Sequence, residues 1–219
     1  MIITAGCNGA GKSTFSKDYV EDLIPFDIDK RFMEIYSSMK DSELRTQISY
    51  NQSIDEFEYA INKALDNNHD FCYETNFHGE PVYWAEKAKT KGYHVELHFY
   101  CLESIELAVQ RVQHRVNFNG HPVEKSTIDY KWKEGYKNLN IHFNFFDRVL
   151  LIDNSLFSQP KNMFTLIKDS NNNFEVEFYT KQIPEYAKRR FPEIYKILIN
   201  SHKSKNILNH ILKIFTKNK

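Results

Sequence analysis

Four short stretches carry side chains whose types and spacing suit phosphate chemistry. The first is GCNGAGKST, Gly6 to Thr14, in which Gly6-x-x-x-x-Gly11-Lys12-Ser13 has the spacing of a phosphate-binding loop. Its glycines, Gly6, Gly9 and Gly11, let the backbone amides of Asn8, Ala10 and Thr14 converge with their own on phosphate oxygens. Lys12 has the reach for β- and γ-phosphates, and the Ser13 hydroxyl suits Mg²⁺. The second stretch, PFDIDKRF, holds Asp27 and Asp29. Asp29 reads as the base that takes a proton from an acceptor hydroxyl, or else as the N-cap of the helix that follows. Asp27, two residues earlier, falls on the same side if the segment is extended, although the helix that begins soon after could separate the two, and it reads as an acceptor contact. The third, FCYETN, ends an apolar run at Glu74, a carboxylate for magnesium or substrate, with a helix-capping or surface role as the alternative. Thr75 and Asn76 follow as hydrogen-bonding groups for an acceptor. In the fourth, Arg111 and Arg115 stand four apart on a helical pattern before a polar interruption that contains His121. That spacing stacks two guanidinium groups on one face, as a lid over a transferring phosphate or as an ordinary solvated face. His121 reads as a lid hydrogen-bond donor or a plain turn residue.

These groups need elements to hold them. Residues 1–5 are apolar and run straight into the glycines, as a buried strand does. A helix from Lys12 to Leu23, a second strand over Leu23–Ile28, and helices near Arg31–Met39 and Glu43–Asn67 follow, the last capped by Asp41 or Ser42. Further strands fall at 71–74, 93–101 and 148–152, separated by helices that start at Pro81, after the Ser104 cap, and near Thr127. Strands alternating with helices predict an α/β fold: a mostly parallel sheet of the phosphate-loop kinase type with helices on both faces. Beyond Asp153 the pattern changes to a hairpin, 163–168 with 174–180 around SNNN, and helices at 184–200 and 207–215. Residues 1–155 therefore read as the core and 156–219 as an appendage of one continuous domain.

The 219 residues carry a formal net charge of zero, which does not favour a nucleic-acid partner. No window reaches the roughly 18 consecutive apolar residues of a membrane span, and no signal-peptide pattern opens the chain. Cys7, Cys72 and Cys101 are scattered without metal or redox spacing, so a reduced cytoplasmic setting is expected. The lysine-rich end, with Ile207, Leu208, Ile211, Leu212 and Phe215 on one face, reads as a helix packed on the body, a protein-partner surface or a membrane-surface segment.

In order and spacing, AGCNGAGKSTF, FDIDKRF, FCYETNF, RVQHRVNFNGHPV and LIDNS resemble the zeta toxin family of phosphate-loop kinases, particularly its compact bacterial branch. The resemblance spans Met1 to about Ser155. It implies ATP or GTP as donor, Mg²⁺, and transfer to a small-molecule hydroxyl, with UDP-N-acetylglucosamine as first candidate acceptor. It assigns Lys12 and Ser13 to the nucleotide, Asp29 to the base, Glu74 to the substrate side and metal, and Arg111 and Arg115 to the lid. It also implies restraint by an antitoxin protein or by the chain's own C-terminal segment. Two departures stand out: Asn119-Gly120-His121 replaces a double glycine, and Lys131 and Lys133 stand where the branch has an arginine. Lysine cannot make the bidentate arginine fork. Other phosphate acceptors, and a nucleotide-gated binding module without any acceptor, remain the rival readings.

Overall fold

The computed structural model describes residues 1–20, 22–117, 122–156, 159–180 and 183–201. His121 and the 207–215 segment lie outside them. Strands β1 (Ile2–Ala5), β2 (Cys72–Thr75), β3 (Glu96–Cys101) and β4 (Arg148–Asp153) run parallel. Strands β5 (Lys161–Lys168) and β6 (Phe174–Phe178) continue the same sheet antiparallel, in the order β2-β1-β3-β4-β5-β6. Consecutive residues of β1, β3 and β4 are buried, so both sheet faces are covered, which explains why these strands read as apolar runs rather than alternations. The phosphate-loop strand β1 lies between β2 and β3. Its carboxyl end therefore opens on the crevice where parallel sheets bind ligands.

Helices α1 (Lys12–Phe15), α2 (Ile28–Ser38), α3 (Arg45–Asp66), α4 (Tyr83–Thr90), α5 (Ile105–Asn117), α6 (Lys125–His142) and α7 (Glu185–Arg190) pack around the sheet. In α3 the buried stripe Phe57, Ile61, Ala64 and Leu65 keeps helical spacing, and in α6 Ile128, Trp132, Tyr136 and Leu139 do the same. Ser104 caps α5 by accepting from the Leu107 amide at 3.2 Å. Gly92, at φ 82°, stands just past α4 where a left-handed residue is needed. The SNNN hairpin turn closes on Asp169, whose Oδ1 accepts the amides of Asn171 and Asn173, each at 2.8 Å.

Four expectations are corrected. The helix expected over 12–23 is a single turn, followed by a 3₁₀ turn at Ser16–Asp18. Ser16 turns inward toward Glu74, and Tyr19 packs edge-on against Tyr100 while its hydroxyl donates to the Pro160 carbonyl, so tertiary anchors override the helical pattern. The second strand is reduced to one bridge, Phe26 to Tyr73, because Pro25 lacks an amide and the chain enters α2 two residues later. Helix α3 starts without a side-chain cap; neither Asp41 nor Ser42 caps it. The helix expected over 184–200 breaks at Phe191, just before Pro192, and resumes over 192–201.

Candidate active site

The loop between β1 and α1 is held from both sides. A Cβ at Gly9 would stand 2.6 Å from the Ala108 carbonyl oxygen of α5, and one at Gly11 would stand 2.2 Å from Asn154 Nδ2. Both residues sit at positive φ, 80° and 89°, so neither position accepts a side chain. Asn154, immediately after β4, donates to the Ala10 carbonyl at 2.8 Å and ties the loop to the sheet. Because α1 is one turn long, the loop amides, rather than a long helix dipole, supply the positive potential for an anion.

Lys12 Nζ lies 2.7 Å from the Gly6 carbonyl, 3.2 Å from that of Cys7 and 3.5 Å from Asn76 Oδ1. Its charge is thereby fixed at the loop. The Ser13 hydroxyl stands 2.7 Å from Glu74 Oε2 and 3.0 Å from Asp27 Oδ2. It has one proton to donate, so only one of these carboxylates can be satisfied at a time. Glu74 is buried, and burial pushes its pKa above the ordinary carboxylate value, with nearby Asp27 adding to the shift. Lys12, Ser13 and Ser16 pull the other way without cancelling it. Two carboxylates converging on one hydroxyl, one of them desolvated, form a cation-seeking set. A Mg²⁺ ion, which takes one or two carboxylates and completes its shell with phosphates and water, suits these donors.

Asp27 also caps α2, with Oδ1 accepting from the Lys30 amide at 3.0 Å. The expected pairing of Asp27 with Asp29 on one side of an extended segment is thus replaced by a cap and a first-turn residue. Asp29 is exposed on that first turn. It lines the same cleft of about 910 Å³ as the loop, Glu74, Arg111 and Arg115. Arg111 Nη2 donates to the Leu156 carbonyl at 3.2 Å, and partial burial lowers its pKa. Lys131 lines the cleft too, whereas Lys133 pairs with Asp129 at 2.5 Å outside it.

Thr75 and Asn76 also line the cleft. The Thr75 hydroxyl accepts the Phe77 amide at 3.0 Å, turning the chain at Phe77 into positive φ. Helix α6 clamps this turn: Asn138 donates to the Phe77 carbonyl at 3.0 Å, and a Cβ at Gly135 would stand 3.0 Å from the Asn76 carbonyl oxygen. The turn delivers His78 to the cleft, where its Nδ1 is buried without a partner among the described residues. Burial, then Lys131, lowers the His78 pKa, while Asp29 and Glu134 oppose them. His78 and Asn154 were not singled out from the sequence as site residues, although each closely follows a strand end, the position that could have flagged them.

No family model matches the chain. An uncharacterized protein of Haemophilus influenzae is 24% identical over 132 residues, covering 60% of this chain and 91% of that protein. Among solved structures, a chain from the PezAT chromosomal toxin-antitoxin system of Streptococcus pneumoniae superposes with TM-score 0.52 at 17% identity, over 69% of this chain and 66% of that one. AvrRxo1-ORF1:AvrRxo1-ORF2, solved with sulphate ions, gives TM-score 0.58 at 13% identity over 81% of this chain and 60% of that one. The same complex solved with ATP gives TM-score 0.56 at 11% identity. The chain has the α/β phosphate-loop fold. It spans about two thirds of the PezAT chain and 60% of the AvrRxo1 chain. At these identities the likeness is one of fold. No described helix is long and apolar enough to cross a membrane.

Proposed function

We propose that the protein is a zeta-toxin-like kinase that moves the γ-phosphoryl group of ATP to the hydroxyl of a small molecule. The observation that carries this reading is the placement of Ser13 between Asp27 and Glu74, beside Lys12, with Asp29 on the same cleft. Lys12 neutralises the β- and γ-phosphates, and the loop amides orient them. Ser13, Asp27 and Glu74 would hold Mg²⁺, which supplies charge neutralisation on the phosphate oxygens. This moves Asp27 from the acceptor side, where the sequence suggested it, to the metal side. Asp29 takes the proton of the acceptor hydroxyl as its oxygen bonds to the γ-phosphorus. The bond from that phosphorus to the bridging oxygen breaks, and ADP leaves with the electron pair. Arg111 and Arg115 add positive charge where the transferred group becomes anionic.

The resemblance to zeta toxins makes UDP-N-acetylglucosamine the first acceptor to try, and GTP an alternative donor. It also makes an antitoxin protein the expected partner and the cytoplasm the expected compartment. The fold relatives from a toxin-antitoxin system and a two-component complex support a protein partner. The test incubates the protein with γ-labelled ATP, Mg²⁺ and a panel of nucleotide-sugars, nucleosides and oligonucleotides. Label on a small-molecule hydroxyl, lost in Lys12→Ala and Asp29→Ala, is the expected result. Label released only as free phosphate, at equal rates in wild type and Asp29→Ala, would contradict the kinase and favour a nucleotide-gated module.

A further inference from the structure

The turn after β2 presents one more side chain to the cleft. His78 is half-buried there, on the wall that it shares with Asp29 and the phosphate loop. Phe77, just before it, adopts φ 58°, a conformation uncommon for a bulky residue. Packing holds it there: its side chain is fully buried, with ring centroids 6.1 Å from those of Phe99 and Phe146. From α6, Tyr130 meets the His78 ring edge-on, at 6.1 Å and 86°. The same turn reaches the nucleotide side through Asn76, whose Oδ1 lies 3.5 Å from Lys12 Nζ. The place of the His78 ring is thus set by the turn and α6 together.

Asp29 has the opposite character. It is exposed, and its carboxylate accepts no hydrogen bond among the described residues. A base that must meet one particular hydroxyl needs a further group to orient it. The His78 Nδ1 is buried without a partner among the described residues. The charges that act on the ring are Asp29 from α2 and Lys131 and Glu134 from α6. Burial and then Lys131 outweigh the two carboxylates and favour the neutral ring, which has one N–H to donate. Ile28, next to Asp29 in the chain, lines one smaller side pocket together with His78, so the start of α2 and the turn border the same space.

We propose that His78 is a positioning residue for Asp29: in the loaded cleft its ring N–H donates to one carboxylate oxygen and leaves the other aimed at the acceptor hydroxyl. The consequence for turnover rests on the kinase reading, whereas the pairing is measurable without transfer. Catalytic hydrogen bonds are commonly open in an empty site and close when it is filled. During transfer the hydroxyl proton moves to the free oxygen of Asp29, and His78 keeps its own proton throughout.

The pairing is read first in protein labelled with ¹⁵N-histidine, where the ring signals missing from His78→Gln identify His78 among the nine histidines. With Mg²⁺ and a non-hydrolysable ATP analogue, one neutral tautomer of His78 should exceed the other by about tenfold. In Asp29→Ala the preference should fall to roughly threefold or less. Turnover is then followed with Mg·ATP and UDP-N-acetylglucosamine. His78→Ala should lower kcat about 10²-fold with both KM values within about threefold, and His78→Gln, which keeps an N–H, should recover at least about tenfold. In an Asp29→Ala background His78→Ala should cost nothing further, because it acts through Asp29. The same tautomer balance in wild type and Asp29→Ala, a raised KM with unchanged kcat, or equal losses in both backgrounds would each overturn the proposal. A tautomer tied to Asp29 with no phosphate transfer would instead fault the kinase reading and leave the pairing standing.

Discussion

The two ends of the parallel strands treat their carboxylates in opposite ways. At the amino end, Asp147 accepts Lys89 Nζ at 2.7 Å and the Val95 amide at 2.8 Å. Glu96 lies 3.1 Å from His98 Nε2 and 3.5 Å from an Arg148 guanidinium nitrogen. Burial works against their ionisation, yet these partners win, and both pKa values fall below the ordinary range. At the carboxyl end Glu74 is buried more deeply than either and faces Asp27 and two serine hydroxyls, and its pKa rises. Deeper burial and a neighbouring carboxylate, against partial burial and direct Lys, Arg or His partners, separate a carboxylate arranged to receive a cation from carboxylates that hold the sheet together.

Glu74→Gln should break this contrast most visibly. Transfer from Mg·ATP is expected to fall on the order of 10²- to 10³-fold. The thermal midpoint should hold or rise, because a desolvated charge has been removed. A large loss of stability would mean that Glu74 is structural, like its counterparts at the other end. Gly11→Ala comes next: with Asn154 in the way and φ at 89°, it should cost roughly 2–3 kcal/mol and nucleotide affinity together, read by chemical denaturation and ATP titration.

Asp147→Ala should show the reverse of Glu74→Gln. It strands Lys89 and the Val95 amide, costing about 2 kcal/mol, or roughly 4–8 °C in melting temperature. Activity at moderate temperature should be untouched.

The pH dependence of stability should carry opposite signs at the two ends. Glu74 holds its proton more tightly when folded, so between its ordinary value of 4.5 and its higher folded value stability falls as pH rises. Asp147 and Glu96 contribute stability that is full above their ordinary values, 3.8 and 4.5, and is lost as pH drops through their lower folded values. Denaturation midpoints across pH should lose the first slope in Glu74→Gln and show a smaller second slope in Asp147→Ala, where Glu96 keeps its share. The smallest effect is expected from Asn138→Ala, which releases the Phe77 carbonyl for about 1 kcal/mol and loosens the turn that carries Asn76 and His78.

Much of this arrangement was legible in the residues, for local reasons. The loop spacing, the apolar strand runs and the Ser104 cap are short-range signals, and they placed Lys12, Ser13, Glu74 and the arginine pair on their elements. Long-range contacts hid the rest. FDIDKRF offers Asp29 as base or cap and Asp27 as an acceptor contact, and only the early start of α2 makes Asp27, not Asp29, the cap facing Ser13 and leaves Asp29 on the first turn. The truncated α1 follows from Tyr19 reaching Tyr100 and Pro160, partners distant in the chain. His78 depends on a clamp from α6, which no spacing within NFHG reveals.

The most direct test of the central claim is the coupling between Mg²⁺ and ATP, measured as the ATP dissociation constant with and without the ion. Wild type should bind ATP substantially more tightly with Mg²⁺, and Glu74→Gln should lose most of that gain while still binding ATP through the loop and Lys12. An identical Mg²⁺ gain in Glu74→Gln and Asp27→Asn would contradict the account, and would leave these carboxylates without the role that sets them apart from Asp147 and Glu96.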